Sequence, residues 1–160
     1  MKKKNIIIFC PSLARGGLEK STVNIANYLS KKHEVRLITN SKNLKNLNKF
    51  ENKVKLINPS ISIFYSFKIL NNFFCTIYTL LISKKKTIIF SLQEPLFLLL
   101  FKFLGFNFKL VIRTPSAIIN GRNKYEEKNI NKVVKNKNFF LYFYKYANLV
   151  ITSSIDNKLF

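Results

Sequence analysis

Residues 5–39, with the sequence NIIIFCPSLARGGLEKSTVNIANYLSKKHEVRLIT, decide the fold of this protein. They open with a continuous apolar run, residues 5–10, which indicates a buried strand and which Pro11 ends. A glycine-containing loop leads to residues 19–31, where apolar side chains recur at helical spacing. A second strand, residues 34–39, follows almost at once. A strand, a helix and a strand joined by short connections form the unit from which parallel sheets are built.

The rest of the chain continues this alternation of strands and helices. Apolar runs that favour strands lie at residues 54–57, 87–92, 109–114 and 149–153. Helical patterns lie at residues 63–83, 95–105 and 125–147. The sequence therefore predicts an α/β fold, a Rossmann-like doubly wound parallel sheet of about six strands with helices on both faces. Ligands of such sheets bind beyond the carboxyl ends of the strands, which here are the loops at residues 11–18, 92–95, 113–116 and 153–154.

The composition favours a single domain over residues 1–160. The chain carries 28 Lys and Arg against 7 Asp and Glu, for a formal net charge of +21, and 48% of its residues are hydrophobic. That apolar content can build a core, so the charge does not indicate a disordered chain. The lysines are scattered, and no helix-turn-helix, RNP-like or zinc-finger pattern accompanies them, which argues against a specific nucleic-acid partner. The charge still favours anionic partners.

Two cysteines, Cys10 and Cys75, both lie in apolar runs. A small secreted domain held by disulfides contains more cysteine, so we expect buried free thiols in a reducing compartment, the cytoplasm. The basic residues at the start precede an apolar run, residues 6–10, that is shorter than the roughly 7 to 15 residues of a signal peptide. The sequence contains no Cys/His cluster with metal-ligand spacing, so no metal is expected.

Two adjacent glycines, Gly16 and Gly17, lie between the first predicted strand and the first predicted helix. Glycines allow the backbone to approach a ligand closely, and free N–H groups at a helix start bind phosphate or carboxylate. A turn that binds nothing explains the pair equally well. The loop has neither G-x-G-x-x-G nor G-x-x-x-x-G-K-[ST], so a dinucleotide dehydrogenase and a P-loop NTPase both lack their defining motif.

Four short segments carry a resemblance to a known family. They are GGLEK at residues 16–20, NIANYL at residues 24–29, HEVRLIT at residues 33–39 and ANLVITSS at residues 147–154. Together they resemble the N-terminal domain of GT-B glycosyltransferases of family 4, which typically reads GG-x-E, an NLA-like helix centre, GHEV and ADxxIxxS. Asn148 stands where the family usually has Asp. The resemblance covers essentially the whole chain and is weakest over residues 40–86.

The resemblance implies the acceptor-side half of a retaining, nucleotide-sugar-dependent glycosyltransferase. Its GG loop reaches the donor's phosphates across the cleft between two domains, and the C-terminal domain carries most donor contacts, including an E-x7-E element. Glu126 and Glu127 are adjacent and do not form such a pair. We therefore expect a truncated enzyme, inactive alone, that needs a nucleotide-sugar co-substrate but no cofactor and that acts in cell-surface or lipid-linked glycan synthesis.

Further candidate site residues lie at the predicted strand ends. Arg113 and Thr114 stand where many family members carry a His, so no catalytic residue is expected in this chain, whose only histidine is His33. Arg113 is placed to bind a phosphate or carboxylate, or else to form a salt bridge between elements. Glu94 is placed to contact a sugar hydroxyl or to favour a helix start. Ser154 is placed to bind ligand or to cap the last helix.

The helix predicted at residues 63–83 leaves two interpretations open. It is rich in aromatic residues, its polar positions form one narrow stripe, and three lysines follow at residues 84–86. This pattern suits peripheral binding to an anionic membrane surface, on the inner face, and equally a helix buried against the sheet. No charge-free stretch reaches the about 20 residues of a membrane span. The alternative to an enzyme is therefore a basic peripheral module that binds membranes or polyanions without catalysis.

Overall fold

A computed structural model describes residues 3–13, 17–40, 49–59, 67–84, 86–93, 95–114 and 143–152. The strands are β1 (Asn5–Phe9), β2 (Glu34–Ile38), β3 (Val54–Ile57), β4 (Ile88–Ser91), β5 (Lys109–Thr114) and β6 (Leu149–Thr152). The helices are α1 (Gly17–Ser30), α2 (Lys68–Ile82) and α3 (Leu96–Phe103). The predicted α/β class is confirmed, and the strands and the helices α1 and α3 have bounds within two residues of the predicted ones. The prediction that the second helix already includes residue 67 is wrong, because Phe67 is extended and α2 begins at Lys68. The helix predicted to end at residue 147 is also shorter, since residues 145–147 are not helical. The predicted starts of the helices at residues 63 and 125 lie outside the described residues.

The six strands form one parallel sheet in the order β3-β2-β1-β4-β5-β6. From β1 the chain moves outward to β3, then returns to the other side of β1 and continues through β4 to β6. The direction of winding therefore reverses between β1 and β4. Phe9 pairs with Ser91 at the carboxyl ends of these two strands, so the loops that follow start at the same level of the sheet.

The two faces of the sheet are covered by different helices. On β1, Ile6 and Ile8 pack in a core with residues of α1, such as Ala26. Ile7 and Phe9 point to the opposite face and pack in a second core with Cys75 of α2 and with two leucines of α3. Successive residues of β1 therefore contribute alternately to the two cores, which explains why residues 6–9 are all apolar. The prediction of helices on both faces is confirmed.

Helix α2 packs on the sheet through its polar side. Its buried residues are all small or polar, and they are Asn71, Cys75, Thr76 and Thr79. The Thr76 hydroxyl donates to the carbonyl of Asn72 at 2.8 Å, and the Thr79 hydroxyl donates to that of Cys75 at 2.6 Å. Because each hydroxyl is satisfied within the helix, it can be buried without an unpaired donor. Leu80 and Ile82 near its end pack partly against the core, and most of the other large apolar side chains of α2 are left on its outer side.

Strand β6 is joined to β5 by Asn148, which immediately precedes it. The Asn148 amide N–H donates to the carbonyl of Leu110 at 2.8 Å, and the Leu110 N–H donates to Asn148 Oδ1 at 2.9 Å. The ammonium of Lys102 in α3 donates to the same oxygen at 2.8 Å. Burial lowers the pKa of Lys102 from its usual value. Asn148 therefore ties a helix and two strands together through a single acceptor.

Within the part of the chain that the structure describes, no helix combines the length and the apolar character needed to cross a bilayer.

Candidate functional site

The candidate site lies at the carboxyl ends of β1 and β4, where the strand order reverses. Backbone pairing continues past the strand ends, since the Leu92 N–H donates to the Phe9 carbonyl at 3.1 Å. On the other side, the Asn40 N–H donates to the Pro11 carbonyl at 2.9 Å. The segments that follow β1, β2 and β4 are therefore held side by side at one edge of the sheet. In doubly wound sheets this is the edge that binds ligands.

The loops after β1 and β4 are joined by a pair of hydrogen bonds between Ser12 and Gln93. The Ser12 N–H donates to Gln93 Oε1 at 3.0 Å, and Gln93 Nε2 donates to the Ser12 carbonyl at 2.7 Å. The side-chain amide of Gln93 thus replaces the backbone of a neighbouring strand. The Ser91 hydroxyl donates to the Gln93 carbonyl at 2.7 Å and fixes the turn that presents this amide. These bonds fix the position of the Ser12 backbone, while its side chain remains exposed.

A buried amide pair connects the same edge to helix α2. Asn71 Nδ2 donates to the Pro11 carbonyl at 3.1 Å, and Asn40 Nδ2 donates to Asn71 Oδ1 at 2.8 Å. Both asparagines are almost completely buried. Since the Asn71 amide donates to the loop after β1 and accepts from Asn40 after β2, α2 is attached to both loops through buried hydrogen bonds.

Both cysteines are buried free thiols close to this edge, as the sequence predicted. Burial raises the pKa of Cys10 to about 12, although the nearby Thr22 hydroxyl acts in the opposite direction. Burial also raises the pKa of Cys75 to about 12, and the neighbouring Cys10 contributes in the same direction. Neither thiol therefore forms a thiolate near neutral pH, and neither suits nucleophilic chemistry.

Gly17 begins helix α1 at the carboxyl edge, and space is open around it. A Cβ built on Gly17 would meet no heavy atom within 4 Å, and its φ lies outside the left-handed region. Neither packing nor backbone geometry within the described chain therefore requires a glycine at this position. Two residues further on, the buried carboxylate of Glu19 pairs with Lys49 Nζ at 2.6 Å, which attaches the first turn of α1 to the segment before β3.

Arg113 lies at the carboxyl end of β5, two strands away from β1. Its side chain is half-buried, and its backbone pairs in register with Ile151 of β6. Among the residues that the structure describes, no hydrogen bond or ion pair involves its guanidinium. Thr114 ends the same strand. His33, by contrast, precedes β2 at the amino edge, far from the loops that form the candidate site.

Three of the predicted site residues, Gly16, Glu94 and Ser154, lie outside the described residues. The structure places Gly17 and Arg113 at the predicted edge. Sequence reasoning missed Ser12, Gln93 and the buried pair Asn40 and Asn71, all of which organise that edge. Their only signal in the sequence is position, since each lies just after a predicted strand or on a predicted helix.

Among the described side chains, no group of three or more potential ligands is placed to hold a metal ion.

Comparison with protein-family models and with curated protein sequences identified no relative of this chain. No protein-family model matches the chain, and no curated protein sequence matches it significantly.

Proposed function

We propose that this protein is the acceptor-side half of a retaining nucleotide-sugar-dependent glycosyltransferase of the GT-B, family 4 type. One observation carries the proposal. The GGLEK motif leads into α1 at the carboxyl edge of a sheet with the order β3-β2-β1-β4-β5-β6, next to the reversal between β1 and β4. A glycine loop in this position presents backbone N–H groups to an anionic ligand.

Two further features support the proposal. The open space around Gly17 leaves room for a phosphate-bearing ligand at the start of α1. Asn148, which replaces the family's usual Asp, uses its side-chain oxygen solely as an acceptor, for Leu110 N–H and the Lys102 ammonium. A carboxylate would accept the same two bonds, so the substitution preserves the local structure that the motif provides.

In this proposal each candidate residue has a defined role. The backbone N–H groups of Gly16 and Gly17 bind the donor's phosphates, and Arg113 supplies a cation at the end of β5, with Thr114 beside it. Glu94 accepts a hydrogen bond from a sugar hydroxyl, and Ser154 binds ligand at the end of β6. A second domain supplies the remaining donor contacts, so this domain alone does not transfer sugar. The reaction takes place in the cytoplasm, on lipid-linked or cell-surface glycans.

The proposal is tested by joining this chain to the C-terminal domain of a GT-B enzyme and measuring transfer of labelled sugar. We expect Arg113→Ala to lower kcat/KM roughly tenfold or more, because a charged hydrogen bond to a phosphate is lost. Lys109→Ala, at the opposite end of the same strand, is the matched control and leaves kcat/KM unchanged. Equal activity of both variants would assign Arg113 a structural role.

Gly17→Ala separates ligand binding from folding in the same assay. Since a Cβ meets nothing at this position, the free energy of unfolding is expected to stay the same or to rise by up to about 1 kcal/mol. Transfer activity is nevertheless expected to fall, because the methyl group occupies the space that the donor's phosphates need. Efficient sugar transfer by the unjoined chain would contradict the proposal that this domain requires a partner.

A further inference from the structure

The outer side of α2 is an exposed apolar surface. Six large apolar or aromatic side chains are exposed here, and together they define what we call the outer face of α2. They are Phe67, just before the helix, and Ile69, Leu70, Phe73, Tyr78 and Leu81 within it. Ile69 and Leu81 are the most open, with 70% and 76% of their surfaces exposed. Ile69, Phe73, Ile77 and Leu81 follow one another at intervals of four residues and so form one row along the helix.

This arrangement is the reverse of that in an ordinary surface helix. A helix between a protein core and water turns apolar residues inward and polar residues outward. Helix α2 instead buries Asn71, Thr76 and Thr79 and exposes Phe, Ile and Leu. Its side chains therefore suit a helix whose outer side meets a medium less polar than water.

Helix α3 continues the outer face of α2 on the same side of the sheet. The Phe73 ring contacts the Phe97 ring edge to face, with centroids 5.1 Å apart. Beyond this contact α3 and the turn after it expose more large apolar side chains, which are Leu100, Phe103, Leu104 and Phe106. Two neighbouring helices thus share one broad apolar surface, larger than the isolated apolar residues that a soluble monomer exposes.

The charges near this surface are positive. Lys68 lies at the start of α2, Lys84 and Lys86 follow its end, and all three are exposed. The sequence has no Asp or Glu over residues 52–93 or over residues 95–125. A second copy of this chain would bring the same lysines to the interface, and like charges would oppose its docking. Charge complementarity therefore favours an anionic occupant.

We propose that the α2–α3 layer docks on the anionic surface of a lipid bilayer. Helix α2 has 15 residues and is about 22 Å long, so it lies along the membrane plane, whose hydrocarbon core is about 30 Å thick. Its outer face enters the boundary between headgroups and acyl chains, and the lysines at its two ends contact lipid phosphates. This inference does not depend on the proposed sugar transfer.

Docking in this orientation also determines where the candidate site lies. Asn71 bonds to the loop after β1 and to Asn40 after β2, so the amino-terminal half of α2 and the carboxyl edge of the sheet form one rigid piece. A helix held on the bilayer therefore holds the candidate site close to the lipid headgroups. If the proposed function is also correct, the acceptor is a lipid-linked molecule that reaches the site from the membrane.

The first experiment uses a single fluorescent reporter, because the natural chain contains no tryptophan. Leu81→Trp places the reporter on the outer face, and Tyr28→Trp, at a site 69% exposed on α1, places it on the opposite side of the sheet. With vesicles of phosphatidylcholine and phosphatidylglycerol, the emission of the Leu81→Trp protein shifts to the blue, and that of the Tyr28→Trp protein does not. Equal shifts, or no shift in either, would overturn the proposal.

The second experiment measures vesicle co-sedimentation of the full-length chain without any glycolipid. Ile69→Asp and Leu81→Asp are each expected to weaken binding roughly tenfold, because each replaces an exposed apolar side chain that docking would bury in the bilayer. Tyr28→Asp is the control with the same change in charge. Both helix positions are exposed, so circular dichroism is expected to show folded proteins.

Two further measurements complete the test: vesicle binding at different lipid compositions, and the mass of the protein in solution. Binding to pure phosphatidylcholine is expected to be weaker than binding to the anionic vesicles, and added salt narrows this difference. A dimer that Ile69→Asp dissociates, seen by sedimentation without any vesicle binding, would show that a second copy covers the surface and would overturn the proposal. Because these vesicles contain no acceptor, failure here leaves the result of the sugar-transfer assay unaffected.

Discussion

Among the single residues, Asn148 shows how a motif position can change identity and keep its structural role. Its Oδ1 accepts from Leu110 N–H at 2.9 Å and from the Lys102 ammonium at 2.8 Å. We expect Asn148→Asp to raise the free energy of unfolding by about 0.5 to 1 kcal/mol, because a carboxylate strengthens the bond to the ammonium. Urea unfolding measures the change. Asn107→Asp, exposed and with the same change in charge, is the control, and an equal gain there would contradict the local explanation.

At the scale of elements, the attachment of α2 depends on one buried side chain. Asn71 both donates to the Pro11 carbonyl and accepts from Asn40 Nδ2. We expect Asn71→Ala to lower the free energy of unfolding by about 2 to 3 kcal/mol, because Asn40 and the Pro11 carbonyl lose their bonds to Asn71 inside the protein.

Urea unfolding also measures this change, and Asn24→Ala on the exposed side of α1 is the matched control. A loss below about 0.5 kcal/mol for Asn71→Ala would mean that the edge does not depend on the amide pair. Vesicle binding of the Asn71→Ala protein is a second measurement. It is expected to be unchanged, because the substitution leaves the outer face of α2 intact and removes only the bonds of Asn71 to the loops after β1 and β2.

At the scale of the whole molecule, the elements could be predicted from the sequence and the packing of one helix could not. The bounds of β3 and β5 agree with those predicted, because each is a short segment rich in β-branched or other apolar residues that a proline closely follows, Pro59 after β3 and Pro115 after β5. The handedness of parallel crossovers limits the possible strand orders but does not say where the order reverses, which only the pairing of β1 with β4 shows. For α2, periodicity identified a polar stripe that includes Lys68, Thr76 and Thr79, but not which part of it faces the sheet. Thr76 and Thr79 are buried at little cost because their hydroxyls bond back within the helix, whereas Lys68 is exposed.

The candidate site was predictable only as a set of loops. The rule that ligands bind at the carboxyl ends of parallel strands was enough to identify the region of Gly17 and Arg113. The hydrogen bonds of Gln93 depend in addition on the register of β1 with β4, which the sequence does not reveal. A Gln two residues after a strand has many possible partners, and only the relative position of two strands distant in sequence selects Ser12. The same reasoning applies to Asn40 and Asn71, which lie 31 residues apart.

The two buried thiols give the whole fold an expected dependence on alkaline pH. The pKa of each rises from 9.0 in the unfolded chain to about 12 in the fold. The stability gained from keeping them neutral is therefore complete below pH 9 and is lost as the pH rises from 9 toward 12. We expect the free energy of unfolding to decline over this range, as measured by urea titrations at several pH values.

The matched comparison is the double variant Cys10→Ala and Cys75→Ala, whose decline above pH 9 is expected to be shallower even if its overall stability is lower. Alkylation by iodoacetamide gives an independent readout. Both thiols are expected to react slowly in the folded protein at pH 8 and rapidly in urea, and rapid reaction of the folded protein would contradict the burial described for Cys10 and Cys75.

The paired bonds between Ser12 and Gln93 have a consequence for motion. Because a side-chain amide joins the two loops at both its donor and its acceptor, we expect the segments after β1 and β4 to move together. A ligand that takes the place of the Gln93 amide would release the Ser12 backbone at the same moment. Ligand binding at the end of β4 would then change the loop after β1 without any movement of the sheet.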